Sequence, residues 1–339
     1  LLEFKTFRMR GHEEASGTKY VPDELLNEWA TKDPISNYSK FLNDEGILTK
    51  DIETYYKDSI QAEIDENLQI SYAENSIVSD QTNELNDVYY DAVNKLFKNS
   101  ESKNNIRYID AVSEGLKQSL EKHDNLIVMG QDIAEYGGVF KITEGFVEQF
   151  GKDRIRNTPI CESGIVATAM GLSINKMKAV VEMQFSDFVS SGFNPIVNYL
   201  AKSYYRWEQN ADVVIRLPCG GGVGAGPFHS QTNEAWFTKV PGLKVVYPAF
   251  PQDAKGLLIA AINDPNPVMF FEHKALYRNV YQDVSDNYFD IELGIASVIK
   301  EGKDVSIITY GMGVHWALEV LEAHKDISVE LIDLRTLSP

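Results

Sequence analysis

The sequence predicts an α/β fold: a parallel sheet covered by helices, preceded by a helical segment and followed by the start of a second α/β domain. Three observations predict it. Short stretches with an apolar run at their centre recur beyond residue 106, as NLIVMGQDI, KAVVEMQF, ADVVIRLP, LKVVYP and PVMFFEH. Strands buried on both faces read this way, because a polar side chain on either face would lose its water. Helical patterns stand between these runs, and a helix between strands is the crossover that parallel pairing requires. At 339 residues the chain is also too long for one small core.

Three zones follow in order. Residues 1–100 open with LLEFKTFRMRGHEE, read as a strand leading into a loop. A charged, acidic, helical stretch comes next, with Leu25, Leu26 and Trp29 at helical spacing. Asp33-Pro34 breaks one helix there and Gly46 ends another. From Ser76 to Asn105 the chain is polar, and FKNSESKNNIRY reads as a linker. Residues 101–287 form the parallel domain. Its helices are expected in IDAVSEGLKQSLEKH, over 159–174, in NPIVNYLAKSYYRWEQ and in PQDAKGLLIAAIND. Residues 288–339 open a further α/β domain with GIASVIKEG, DVSIITYG, a helix over 314–324 and SVELIDLRTL.

Composition removes several function classes. The net charge of −18 disfavours nucleic acid and anionic membrane surfaces, which both demand positive charge. No apolar run reaches bilayer length. The two cysteines, Cys161 and Cys219, lack metal-ligand spacing and suggest a reducing compartment, with the cytoplasm as the default. A start at Leu1 and an end at LRTLSP suggest a piece of a longer polypeptide.

Few motifs carry chemistry. CGGGVGAGPFHSQ suggests a phosphate loop, but no glycine triple fits G-x-G-x-x-G and no G-K-[ST] follows. The loop ends on His229, which reads either as a surface histidine or as a group presented to a cleft at the strand ends. Glu162 lies among Cys161, Ile165, Val166, Ala169 and Met170, where burial of a carboxylate is costly unless it is bonded. Pro159 places it in a first helical turn. It therefore stabilises a helix end or performs a task.

RIRNTPICESGIVATAMGLSI, EMQFSDF, GPFHSQTNEAWFTKVPGLKVVYP and NPVMFFEHKALYR together resemble the beta subunit of thiamine diphosphate-dependent 2-oxo acid dehydrogenases, nearest the branched-chain type. FRMRGHEEASGTKYVPDELLNEWATKDPI resembles the carboxy-terminal end of their alpha subunit. The chain is thus similar to a fused alpha–beta polypeptide lacking most of its alpha part. The resemblance implies a transketolase-like pyrimidine-binding domain. It also implies oxidative decarboxylation of a 2-oxo acid, with acyl transfer to lipoyl groups of a partner dihydrolipoyl acyltransferase. A pyruvate-specific member, a transketolase-type transferase and a non-catalytic assembly fragment are the alternatives.

The resemblance also assigns residues. Glu162 matches the glutamate that exchanges a proton with the cofactor's aminopyrimidine ring, a role that calls for a dry pocket. Ile160, Gln184 and Phe188 would line that pocket, and relatives often carry Tyr in place of Phe188. His229 matches the histidine that assists acyl transfer, and His12 the alpha-subunit histidine in a loop over the cofactor. Glu13 and Glu14 follow His12 where mitochondrial relatives carry a phosphorylated serine. Asp264, Asn266 and Ala261 lie where relatives hold a monovalent cation such as K+, and they also read as a plain turn. No G-D-G occurs, so the Mg2+ ligands are expected outside this chain, in a missing alpha part or a second copy. A dimer or an alpha2beta2-like assembly is implied, with the fragment alone inactive.

Overall fold

In the central strand of the main sheet, Val213–Cys219, every residue is buried. Val214 packs into one hydrophobic cluster, and Val213, Ile215 and Leu217 into another. Successive side chains of a strand point to opposite faces, so this split shows both faces covered. The architecture is that of a computed structural model, which describes residues 2–91 and 96–339. The chain folds as two units, Leu1–Val78 and Ser79–Pro339.

The first unit is helical, with α1 (Asp23–Ala30), α2 (Pro34–Asp44) and α3 (Lys50–Ala73). Asp33 and Pro34 start a helix rather than only breaking one. The Asp33 side chain accepts the Ser36 N–H, and Pro34 fills the first position, where no N–H is needed. Gly46 follows α2 at φ +70°, as a helix stop does. The expected strand near the start does not form over residues 2–14. Phe4 is exposed, and an extended segment without a pairing edge leaves its backbone to water.

In the second unit, α4 (Gln81–Asn86) and β1 (Lys103–Arg107) occupy ends of the expected linker. Residues 92–95 of that linker, like residue 1, lie outside the described residues. Next come α5 (Tyr108–Lys122), β2 (Leu126–Gly130), α6 (Phe146–Phe150), β3 (Ile155–Asn157), α7 (Glu162–Ile174) and β4 (Lys178–Glu182). The single helix expected over NPIVNYLAKSYYRWEQ is broken. After a 3-10 turn (Ser186–Gly192), α8 (Phe193–Pro195), a π turn (Ile196–Leu200) and α9 (Ser203–Trp207) take its place. Pro195 lacks an N–H to continue the ladder, and Glu208 ends α9 in the left-handed conformation.

β5 (Val213–Cys219), β6 (Lys244–Val246), α10 (Pro251–Asn263), β7 (Val268–His273) and β8 (Tyr281–Ser285) complete this part. β9 (Ser297–Lys300), β10 (Val305–Thr309), α11 (Met312–Ala323), β11 (Val329–Asp333) and β12 (Thr336–Ser338) follow. The seven-stranded sheet runs β12-β6-β7-β5-β4-β2-β3. All its pairings are parallel except β12 against β6. β10-β11-β9 form a mixed three-stranded sheet, and β1 pairs antiparallel with β8. α5 and α10 cover one face through Val112, Leu116, Leu257 and Leu258. α7, the 3-10 turn and the broken helix cover the other through Ile165, Val166, Val189 and Ile196.

Candidate functional site

The carboxyl ends of β2, β3, β4 and β5, four neighbours in the sheet, carry the residues of interest. Gln131 follows β2, Glu162 follows β3, Gln184 to Phe188 follow β4, and the loop to His229 follows β5. Ligands of open α/β sheets bind at these ends, where loops and helix N-termini converge.

Glu162 is the first residue of α7 and only 8% exposed. The cap residue Cys161 gives the helix no side-chain acceptor. The helix therefore starts with unpaired N–H groups, whose positive end favours a carboxylate in the first turn. Among the described residues the carboxylate receives one side-chain hydrogen bond, from Gln131 Nε2 to Oε1 at 3.2 Å. Gln131 did not stand out in the sequence; its place one residue beyond the buried NLIVMG run is the signal that points to it. Ile160 is 83% exposed in the β3–α7 connection.

The 3-10 turn after β4 packs against α7 and against the short turn Pro227–His229. Ser163 Oγ donates to the Ser191 carbonyl, and a Cβ on Gly192 would meet the Glu162 carbonyl at 3.5 Å. Gln184 and Phe188 are half-buried. Phe188 meets the half-buried His229 edge to face at 5.6 Å, and Phe185 meets it at 4.6 Å. Phe140 in turn lies 5.6 Å from Phe185 and 5.1 Å from Tyr277. The structure thus brings Phe188 and His229 together in an aromatic cluster that packs beside the start of α7. His12 is exposed on the first unit.

Beneath the strand ends lies a charged cluster that the sequence did not suggest. Arg216 is fully buried. It donates to Glu272 through Nε and Nη2 at 2.8 Å each, and to Glu182 through Nη1 at 2.6 Å. Tyr277 OH adds a bond to Glu272 at 2.7 Å. Burial holds the Glu182 carboxyl above its usual range against the pull of Arg216. These ions sit inside runs that read as apolar strands, so periodicity gave no hint of them.

Asp264 and Asn266 form a closed turn. Asp264 Oδ2 pairs with Lys244 Nζ at 2.6 Å, and Oδ1 accepts both the backbone and side-chain N–H of Asn266 at 2.8 Å. Asn266 Oδ1 accepts the Tyr90 N–H at 2.8 Å. Ala261 lies in the last turns of α10, buried. The ammonium already supplies the counter-charge, so as arranged these residues do not fit a monovalent cation. Among the described residues no three His, Cys, Asp or Glu side chains converge as a metal group, and no helix is long and apolar enough to cross a membrane.

A buried carboxylate with one oxygen left for a ligand, at the start of a helix against which the turn bearing Phe188 packs, fits the aminopyrimidine half of a thiamine diphosphate site. Family models match three parts of the chain. The transketolase pyrimidine-binding domain matches residues 104–280, the dehydrogenase E1 component 1–78 and the transketolase C-terminal domain 294–339. The 2-oxoisovalerate dehydrogenase beta subunit of Bacillus subtilis is 44% identical, over 68% of this chain and 72% of its own length. The pyruvate dehydrogenase E1 beta subunit of the same organism is 45% identical, over 68% and 72%. That of Acholeplasma laidlawii is 42% identical, over 69% and 73%. A solved split-gene transketolase, described as an inactive beta4 tetramer, shares the fold at TM-score 0.55 and 23% identity, over 68% of this chain and 71% of its own. The chain belongs to the family of thiamine-dependent 2-oxo acid dehydrogenase E1 components, and its main domain corresponds to their beta subunit.

Proposed function

We propose that this chain supplies the aminopyrimidine half of the active site in a decarboxylating E1 component that acts on a branched-chain 2-oxo acid. The acyl group would pass to lipoyl groups of a partner dihydrolipoyl acyltransferase in the cytoplasm. The observation that carries the reading is Glu162: a buried carboxylate at a helix start, bonded on one oxygen by Gln131 and left a second oxygen for a ligand.

Thiamine diphosphate, when bound, would supply the nucleophilic carbon and the electron sink that decarboxylation of a 2-oxo acid needs. The residues of this chain prepare that chemistry. Glu162 exchanges a proton with the far nitrogen of the aminopyrimidine ring. Phe185 and Phe188 exclude water, which strengthens the Glu162 interaction by lowering the local dielectric. His229 handles a proton at the acyl-transfer end, as an imidazole, with one nitrogen to give a proton and one to take it, is able to do. His12 keeps, within this proposal, the role that the resemblance gives it, a loop histidine serving the cofactor. Mg2+ and the diphosphate would be held by a missing alpha part or a second copy in an alpha2beta2-like assembly. Phe193, Tyr199, Tyr205 and Trp207 are exposed along the broken helix, and an aromatic surface of this kind supports burial against another chain.

Pyruvate as substrate is the second reading, favoured by pyruvate dehydrogenase relatives as similar as the branched-chain one. Release of CO2 from 2-oxoisovalerate, pyruvate and 2-oxoglutarate by the complete enzyme tests the proposal, with acylation of a lipoyl domain measured alongside. Preferred turnover of 2-oxoisovalerate with lipoyl acylation is expected. Preference for pyruvate would establish the second reading. Turnover of sugar phosphates without lipoyl acylation would point to a transketolase-type transferase.

A further inference from the structure

Asp187 lies between Phe185 and Phe188, the two rings that flank His229, yet it touches neither the ring of His229 nor Glu162 through any hydrogen bond among the described residues. It is 7% exposed. Its Oδ1 accepts two backbone N–H groups, those of Ser230 and Gln231, at 3.2 Å each. These are the two residues immediately after His229. A carboxylate is the strongest acceptor a side chain offers to a pair of amides, and here burial keeps water from competing.

The segment it holds needs holding. From Gly220 to Gly226 the loop is glycine-rich, with Gly220, Gly222, Gly224 and Gly226 all at positive φ. Gly222 to Phe228 are exposed. Glycines leave such a loop with many accessible backbone conformations, so it does not fix the direction of the histidine at its end. The neck of the loop is tied instead. Gly220 N–H donates to the Gln231 carbonyl at 2.9 Å, Ser186 Oγ donates to the same carbonyl at 3.1 Å, and Lys274 Nζ holds the Gly220 carbonyl at 2.7 Å. The His229 N–H donates to the Gly226 carbonyl at 3.3 Å inside the loop itself, and Asp187 is the tie from outside the loop nearest His229 in sequence. One short turn after β4 therefore supplies both the aromatic walls around the imidazole and the anchor for its backbone.

We infer that Asp187 is a positioning residue for His229, acting on acyl transfer by fixing the backbone that follows the imidazole; this rests on the function proposed above. Loss of the anchor lets the imidazole drift by an ångström or so, a misplacement that can cost about 100-fold in rate. Asn at 187 keeps an acceptor oxygen, so Asp187→Asn retains part of the effect.

The test is a double-mutant cycle in the complete enzyme, read by acylation of a lipoyl domain, together with amide hydrogen exchange at Ser230 and Gln231. The inference expects Asp187→Ala to lower acylation about 100-fold and Asp187→Asn about 10-fold. It expects no further loss when Asp187→Ala is added to His229→Ala, because a residue that acts through another has nothing left to act on. Faster exchange at the two amides is expected in both Asp187 variants. Additive losses in the cycle, or unchanged exchange, would overturn it. If Asp187→Ala fails to fold, the cycle built on Asp187→Asn decides in the same way. Absence of all 2-oxo acid turnover in the unmodified enzyme would overturn the proposed function, and the exchange measurement would still decide whether Asp187 tethers the loop.

Discussion

Replacing Arg216 by Met removes one buried cation and leaves two buried carboxylates. Glu182 is 4% exposed and Glu272 fully buried, and the guanidinium makes three hydrogen bonds to them, at 2.6, 2.8 and 2.8 Å. Breaking a buried pair by deleting one partner costs about 3–5 kcal/mol, because the stranded charge stays desolvated. Protonation limits the share of that cost that each carboxyl bears. Keeping one carboxyl protonated at pH 7 costs about 3.7 kcal/mol, from 1.36 kcal/mol per pH unit above an unperturbed value of about 4.3. A loss of about 4 kcal/mol at pH 7 is therefore expected. In a unit of this size that lowers Tm by roughly 8–16 °C.

The size of this loss depends on pH. Glu182 already titrates above its usual range because of burial, and loss of Arg216 moves it further up. The folded variant then binds a proton that the unfolded chain has lost, so its stability falls as pH rises between about 4.3 and the raised folded value. At pH 5 the protonation cost of a carboxyl shrinks to about 1 kcal/mol, and the deficit against the unmodified protein should shrink with it. Thermal unfolding of both proteins at pH 5, 6 and 7 is the assay. A Tm within about 2 °C of the unmodified protein at pH 7, well short of the shift expected for a loss of this size, would refute the reasoning. So would a deficit that does not narrow toward pH 5.

Other outcomes follow from the same structure. His229→Ala should reduce lipoyl acylation more than decarboxylation read with an artificial electron acceptor; equal activity in both assays would return His229 to a plain surface role. Gly242→Ala should destabilise the fold by roughly 2–5 kcal/mol in denaturant unfolding, since left-handed strain and overpacking add. Its φ is +90° and its added Cβ would lie 1.8 Å from the Ala201 carbonyl oxygen. A variant as stable as the unmodified protein would show that this backbone relaxes freely. In calorimetric titration, residues 1–339 alone should bind thiamine diphosphate and Mg2+ weakly or not at all, since charge-assisted bonds to the diphosphate supply much of such affinity. Micromolar binding would place the diphosphate site within this chain.

Much of the fold was legible because burial on both faces leaves a plain trace. β2, β4, β5 and β7 fall inside the apolar runs, and α5, α7 and α10 inside the patterns between them. β3, with three residues, is too short for periodicity to register. β1 and β8 are polar strands whose existence depends on each other, as Asn104 against Val284 and Asn105 against Asp283 show. Such pairing is a tertiary fact that neither segment states alone. At the site, Glu162 was visible as an acid in an apolar setting and His229 as the end of a glycine loop. Gln131, Phe185 and Asp187 were not, because each acts through a neighbour distant in sequence. Arg216 was hidden for a related reason: its two partners lie on adjacent strands, 34 and 56 residues away.

The carboxylate of Glu162 is the centre of the proposed chemistry. Decarboxylation of 2-oxoisovalerate by the complete enzyme, unmodified and with Glu162→Gln, tests it most directly. Gln keeps the size and can still bond Gln131, so the fold should survive, but an amide does not exchange a proton with a ring nitrogen. Turnover is expected to fall by several orders of magnitude, as when a group acting in the transition state is lost. A variant that releases CO2 at close to the unmodified rate would contradict the central role given to Glu162.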